Sequence, residues 1–405
     1  MQKFINEAFF YVFTLAYIVG MLLYHLPGFD ITDEIYTVVI FILFLYYMFR
    51  QSDWGINKVF LLIIGIFIFY LIYSINIQSN STIAILKDFL IQIKPYLAFF
   101  CVYQMRPVIS KRQKKLLNQI VLVCWFLLIP VGIAGAMNEM NFKYLIGLPT
   151  NYAAAITASA LIYFFTSEGT KLNKLVFIIL LAMGLCSGRS KFYGFFVFSV
   201  ACVLYFNSLE RLKFNFKTIL SAIILCAAIL FVARDKIQFY FMQGVTGEVE
   251  LDYIARMALY VTSFSIFQDY FPFGSGFASF GTHFSGVYYS DIYEEYGISS
   301  VWGLTKSNPK FITDTYYPSL AQFGVVGVVL YMLFWLYIIR KSIKLISGNK
   351  NVHTFAVVLS IIGFFLIENV ADATFTGNRG IFMMMFLGYI FSNLNSQKQQ
   401  LTDNI

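Results

Sequence analysis

Apolar residues along this chain come in long runs, and the polar residues gather in short stretches between them. Twelve runs approach the roughly 20 residues that a helix needs to cross about 30 Å of hydrocarbon. They are residues 7–24, 34–49, 58–75, 83–104, 117–136, 151–166, 175–187, 192–207, 218–233, 316–339, 353–371 and 378–394. The expected fold is all-α: a polytopic membrane bundle of about twelve transmembrane helices. The pattern divides the chain into residues 1–233 with helices one to nine, a long external segment at 234–315, and residues 316–405 with helices ten to twelve and a short tail. The first run is rich in bulky aromatics and lacks a small-residue cleavage site, so it reads as a retained span.

Composition agrees with the runs. Hydrophobic residues make up 59% of the 405 and charged residues 12%, too few polar groups to cover a water-facing surface. The basic residues then orient the bundle through the positive-inside rule. With the N-terminus and Lys3 in the cytoplasm, every inner turn is basic: Arg50 and Lys58; Arg106, Lys111, Arg112, Lys114 and Lys115; Lys171 and Lys174; Arg211, Lys213 and Lys217; Arg340, Lys341, Lys344 and Lys350; then Lys398. Both termini are expected inside. The formal +8 charge is mostly topology, and its scatter over six turns excludes a nucleic-acid face. Cys101, Cys124, Cys186, Cys202 and Cys226 lie in apolar runs at unrelated spacings, and His25, His283 and His353 are far apart. Neither a disulfide framework nor a metal site is expected.

The external segment is too long for a simple connection and carries pattern of its own. In "LDYIARMALYVTSFSIF", from Leu251 to Phe267, Ile254, Met257, Ala258, Val261 and Phe264 recur at helical spacing and predict an amphipathic helix at the membrane surface. Glycines and aromatics then alternate through "FPFGSGFASFGTHFSGVYYSDIYEEYG", which reads as a cover.

Several charges fall within the runs. The seventh and eighth runs span only about 20 and 22 Å at 1.5 Å per residue, so their tip, Gly188-Arg189-Ser190-Lys191, is expected below the outer surface. Two recessed cations imply a water-filled cavity or an anion, or else snorkelling to the headgroups. Glu368 stands about 22 Å up the eleventh run, Asp372 one turn further on the same face, and Arg379 opens the next helix. These read as functional charges, as mutual salt bridges, or as both. Lys87, Asp88 and Lys94 interrupt the fourth run, and Lys94 falls near mid-membrane, where it either meets an acid from another helix or lines a cavity.

The order of these features resembles the O-antigen polymerase and ligase superfamily. The resemblance rests on the "SGRSK" tip, an arginine helix in the external segment, "PFGSGFASFG", and "TDTYYPSLAQFGVVG" running into a helix, and it covers about residues 186 to 331. Arg189 fits the family's Ser-x-Ser-Arg-like tip, Arg256 its arginine before a Gly-x-Gly-Phe-like stretch, and Gly274 with Gly276 that stretch. Tyr316 with Gly324 and Gly327 fits its Tyr and Gly-x-x-Gly segment. Where ligases place histidine this chain has Thr313 and Asp314, which favours a repeat-unit polymerase over a histidine-dependent ligase.

The resemblance implies a GT-C-like helical fold in the inner membrane of a bacterium. It implies the joining of polyprenyl-pyrophosphate-linked oligosaccharides on the outer face, with a chain-length regulator and a flippase as pathway partners and no metal or cofactor. Arg189, Lys191 and Arg256 are then candidates for the departing pyrophosphate. Asp314, and second Glu368, are candidate bases for the acceptor hydroxyl. Lys94, His283, Tyr316 and Arg379 are candidate substrate contacts, with Tyr288 and Tyr289 offering ring faces to sugars. A lipid-linked oligosaccharide flippase or other transporter is the rival class, disfavoured because the two halves show no repeat.

Overall fold

The computed structural model describes residues 1–405 except 24, 27–28, 30, 52–54, 207–250, 350–351 and 404–405. The expected ninth run, 218–233, the first part of the external segment, Cys226, and the basic residues Arg211, Lys213, Lys217 and Lys350 lie outside the described residues. The other eleven runs all fall on helices. In order these are α1 (Gln2–Tyr17, continued by a π turn, Ile18–Leu23), α2 (Thr32–Arg50), α3 (Lys58–Asn76), α4 (Thr82–Met105), α5 (Lys111–Met137), the short α6 (Met140–Leu145), α7 (Pro149–Thr166), α8 (Lys171–Ala182) and α9 (Ser190–Tyr205). The external segment holds α10 (Leu251–Asp269), α11 (His283–Val287) and α12 (Ile292–Glu295), and the chain ends with α13 (Gly324–Asn349), α14 (Val352–Glu368) and α15 (Asn378–Asp403). Among the described residues there is no strand, only an isolated bridge between Thr305 and Asn308.

The polar breaks act as helix starts. Ser110 and Gln113 form a reciprocal capping box that opens α5, Thr170 and Asn173 do the same for α8, and the Asn57 side chain accepts the Val59 N–H at α3. Among the described residues, five helices are long and apolar enough to cross a membrane: Gln2–Leu23, Thr32–Arg50, Lys58–Asn76, Lys111–Met137 and Tyr317–Ile346. The protein is thus a helical membrane protein. α4 has the length but carries Lys87, Asp88 and Lys94, of which Asp88 and Lys94 are buried. It runs against α15 so closely that a Cβ on Gly388 would stand 2.4 Å from the Phe99 carbonyl oxygen. α9 packs on α14, α5 on α7, and α2 and α3 on α4. The core between them is built from large rings, among them Tyr17, Phe99, Phe100, Tyr152 and Tyr389, all fully buried.

One boundary differs from the sequence pattern. The apolar run from residue 316 predicts a continuous helix, but Tyr317–Phe323 is a 3-10 segment and α13 begins only at Gly324. Gly324 has φ +60°, and a Cβ there would meet the Pro272 carbonyl oxygen at 2.3 Å and the Gly274 nitrogen at 2.4 Å. The external segment crosses the chain at this point, and a regular helix would collide with it.

The described part of the external segment has its own small core. Ala255, Leu259 and Ile266 of α10 face Phe280, Tyr293, Leu304, Phe311 and Ile312. The amphipathic reading of α10 holds in its exposed stripe, Ile254, Val261 and Phe264, whereas Ala258 belongs to the packed side. Two sets of polar contacts fasten this unit to the bundle. On α3 and α4, Tyr73 donates to the Gly274 carbonyl (2.8 Å), Ser74 accepts the Phe277 N–H (2.8 Å), Asn80 donates to the Ala278 carbonyl (2.8 Å), and the fully buried Asp88 accepts the Ala278 N–H (2.7 Å). At the end of α14, Tyr260 donates to the Val370 carbonyl (2.9 Å) and the Tyr316 N–H to the Asn369 carbonyl (3.0 Å).

Candidate functional site

The Gly188–Lys191 tip is a tight turn between two helices. α8 tightens into a 3-10 turn, Met183–Ser187, Gly188 turns the chain at φ +66°, and α9 starts at Ser190. Lys191 therefore stands in the first turn of α9. Arg379 stands at the same place in α15, two residues after the turn that follows α14. Both cations reach the Glu368–Asp372 turn: Lys191 Nζ lies 2.5 Å from Glu368 Oε2 and 3.9 Å from Asp372 Oδ2, and Arg379 Nη2 lies 2.5 Å from Asp372 Oδ2. Burial pushes the Asp372 carboxyl up, but Arg379 and Lys191 outweigh it and hold it below the usual aspartate value.

Elementary electrostatics makes this arrangement costly. A helix N-terminus carries partial positive charge and its C-terminus partial negative charge. Lys191 and Arg379 sit at N-termini, and Glu368 is the last residue of α14, so each charge stands where its own helix repels it. Two helix N-termini and two cations aimed at one place make an anion site. Here Glu368, the last residue of α14, and Asp372 beyond it fill it.

A second pair flanks the same turn. Arg256 of α10 meets Asp314 at 2.8 Å. One turn along α10 is Tyr260, held on Val370, and two residues after Asp314 is Tyr316, held on Asn369. Arg256 and Asp314 are thus tied, through Tyr260 and Tyr316, to the same five-residue turn that Lys191 reaches. Arg189, by contrast, points outward and pairs with the exposed Glu139 at 3.0 Å. Tyr316 is buried, with its ring against Tyr331 and Phe375.

Lys94 meets acids, resolving the open alternatives for it. Its ammonium lies 2.6 Å from both Asp33 and Glu34, which occupy the first turn of α2. The start of α2 thus stands beside the thirteenth residue of α4, about 18 Å along that helix. His283 opens α11 with an exposed face. Lost hydration lowers its imidazole below the usual value, while Glu34 raises it and Lys94 lowers it. Beside it, Lys87 donates to the Tyr288 hydroxyl at 3.0 Å and stands over the Phe284 ring. The two charged groups are joined by a hydrogen bond of 2.7 Å between Thr32 and Asn378, the neighbour of Arg379.

Between α3, α4 and α13 runs a cleft of about 270 Å³. Its walls are apolar, with Ile66, Phe67 and Phe334 along the side and Gln92, Tyr96 and Tyr316 at the polar end. Among the described residues no His, Cys, Asp and Glu gather in a set that could hold a metal ion.

Sequence reasoning named Lys191, Glu368, Arg379, Arg256 and Asp314, and of their pairings it offered only salt bridges among Glu368, Asp372 and Arg379, of which Arg379 with Asp372 forms. It missed the roles of Asp33, Glu34, Glu139 and Asp88. Asp88 carried a signal, a carboxylate in an apolar run with no cation one turn towards the middle of its helix, but its partner is a backbone amide 190 residues away. No protein-family model matches the chain, and no curated protein matches it.

Proposed function

We propose that this protein is a glycosyltransferase that joins polyprenyl-pyrophosphate-linked oligosaccharide units on the outer face of a bacterial inner membrane, lengthening a surface polysaccharide. The reading takes the bundle as twelve spans with both termini in the cytoplasm. One observation carries it: Lys191 and Arg379, at two helix N-termini, converge on the Glu368–Asp372 turn, to which the helix of Arg256 is tied through Tyr260.

A sugar leaving as a lipid pyrophosphate develops negative charge at headgroup depth, and a recessed ring of cations in a site shielded from bulk water stabilises that charge more than water does. Without substrate, Glu368, Asp372 and Asp314 serve as counter-ions. An arriving pyrophosphate competes with them for Lys191, Arg379 and Arg256 and releases carboxylates next to the reacting centre. The apolar cleft beside Tyr316 supports a substrate that is half hydrocarbon.

The test is a glycan ladder. The gene is deleted in its own host and restored at matched membrane levels as wild type, Lys191→Ala, Arg256→Ala or Asp314→Asn. Polymerisation predicts loss of the ladder on deletion, with single repeat units still reaching the surface, and a drop of at least tenfold in long chains for each variant. Lipid-linked units trapped on the inner face would mean a flippase, and long chains left on their carrier would mean ligation.

A further inference from the structure

We infer that the cleft between α3 and α13 holds the hydrocarbon tail of the lipid-linked donor, and that the gap between these two helices is the portal through which the tail enters from the bilayer. The inference rests on the polymerase reading and gives the lipid half of its substrate a place. It starts from packing. α3 packs along α4, and α13 leans on α14 and α15, but α3 stands off α13. The Tyr70 hydroxyl donates to the Phe323 carbonyl at 2.7 Å and so ties α3 to the chain just before α13 begins. Beyond that tie the two helices leave the cleft of about 270 Å³. Beside it lies a more open hollow of about 580 Å³ that shares Leu62, Ile66 and Leu330 with it.

Shape selects a single hydrocarbon chain. The α3 side of the cleft runs from Val59 to Tyr70, a rise of about 16 Å, roughly half the hydrocarbon thickness. Its mouth faces away from the bundle: Leu62 and Leu333 line it and are 61% and 52% exposed. Its inner wall is closed by Tyr96, Phe323 and Phe334, all buried. A void forfeits the contacts that hold a close-packed interior together, so hydrocarbon from the bilayer has to fill such a slot.

The polar end decides whose hydrocarbon it is. Gln92, Tyr96 and Tyr316 place an amide and two phenol groups there, and Gln92 lies about 15 Å from the start of α4. A bilayer phospholipid keeps its headgroup at the surface and would lay acyl carbons on these groups. A lipid whose phosphates are drawn to Lys191 and Arg379 brings its polar end here instead. Tyr316 lines the cleft, and its backbone N–H holds the Glu368–Asp372 turn at the Asn369 carbonyl, 3.0 Å away. The Asn369 amide in turn stands 3.5 Å from the hydroxyl of Tyr331, another residue of the cleft wall. Cleft and charged cluster therefore share a border.

Gly65 offers a way to close the portal without disturbing the fold. It lines the open hollow, and a Cβ built on it meets nothing within 4 Å. A phenylalanine there has room to lie across the gap, and replacing a helix-interior glycine does not weaken α3.

Binding is measured on the purified full chain in detergent, with geranyl, farnesyl, geranylgeranyl and undecaprenyl monophosphates as probes. Affinity should rise with chain length and level off well short of undecaprenyl, because the cleft spans only about 16 Å. Gly65→Phe should lower the affinity for geranylgeranyl monophosphate at least tenfold and flatten the dependence on length. Leu127→Phe, on the exposed face of α5, should change neither. A second measurement needs no variant: a photoreactive group on the tail of geranylgeranyl monophosphate should label α3 and α13. Labelling confined to other helices, or a length dependence that Gly65→Phe leaves intact, would overturn the inference. Labelling that phosphatidylglycerol vesicles remove as well as geranylgeranyl monophosphate does would overturn it too, since an ordinary acyl chain would then fill the cleft. All three results leave polymerisation standing; a ladder that survives gene deletion would overturn polymerisation itself, whatever the labelling shows.

Discussion

Lys191, Arg379 and Glu368 each stand at the unfavourable end of a helix, and the cost is tolerated because each finds its opposite within 2.5 Å. Such a cluster is held by pairing alone, so removing one member strands the others. Lys191→Met is expected to destabilise the protein by about 3 kcal/mol, because Glu368 would then be a buried, uncompensated charge. The double change Lys191→Met with Glu368→Leu should recover most of that stability without recovering polymerisation. Thermal unfolding in detergent beside the glycan ladder checks both. A pH effect belongs to the same residues. Asp372 has its carboxyl held below the ordinary value in the folded protein, so its contribution is present above the unfolded value, about 3.9, and is lost as pH falls through the folded one. Unfolding temperature should fall below about pH 4, and Asp372→Asn should remove much of that dependence. The charges themselves were legible as interruptions of apolar runs. Their pairings were legible only where the partners are close in sequence, as for Asp372 and Arg379; Lys94 finds Asp33 some sixty residues away, and Arg256 finds Asp314 58 residues on.

At the level of elements, length and hydropathy made eleven helices legible, and polar breaks with serine, threonine or asparagine marked where several begin. The start of α13 was not legible, because the obstacle is another part of the chain, the Pro272–Gly274 backbone lying against Gly324. The same crossing explains why α11 and α12 escaped notice: each is one turn, formed inside a loop shaped by Asp88, Asn80 and Tyr293 rather than by its own periodicity. Asp88 is the central tie. Asp88→Leu leaves the Ala278 N–H buried without its acceptor, a loss of about 1–3 kcal/mol. Concentrated on one attachment, that loss should loosen the glycine-rich loop before the bundle. Limited proteolysis of the purified protein should show new cuts between residues 270 and 290 in Asp88→Leu, and fewer in Asp88→Asn, whose side-chain oxygen still accepts. Unchanged cleavage in both would mean that Ser74, Asn80 and Tyr73 hold the loop without it.

Over the whole molecule, the paired charges are collected from α2, α4, α9, α10, α14, α15 and the loops holding Asp314 and Asp372, and no local sequence window contains more than a fraction of them. The external unit is bolted at two places, on α3 and α4 through Asp88 and Asn80, and on the end of α14 through Tyr260 and Tyr316. It is a crossbeam rather than a hinged door. If the substrate is lipid-linked as proposed, a beam fixed at both ends favours entry sideways out of the bilayer over entry from the aqueous side. The lipid tail would then act as the entry ticket, and a free oligosaccharide of identical sugars, lacking it, would wait outside.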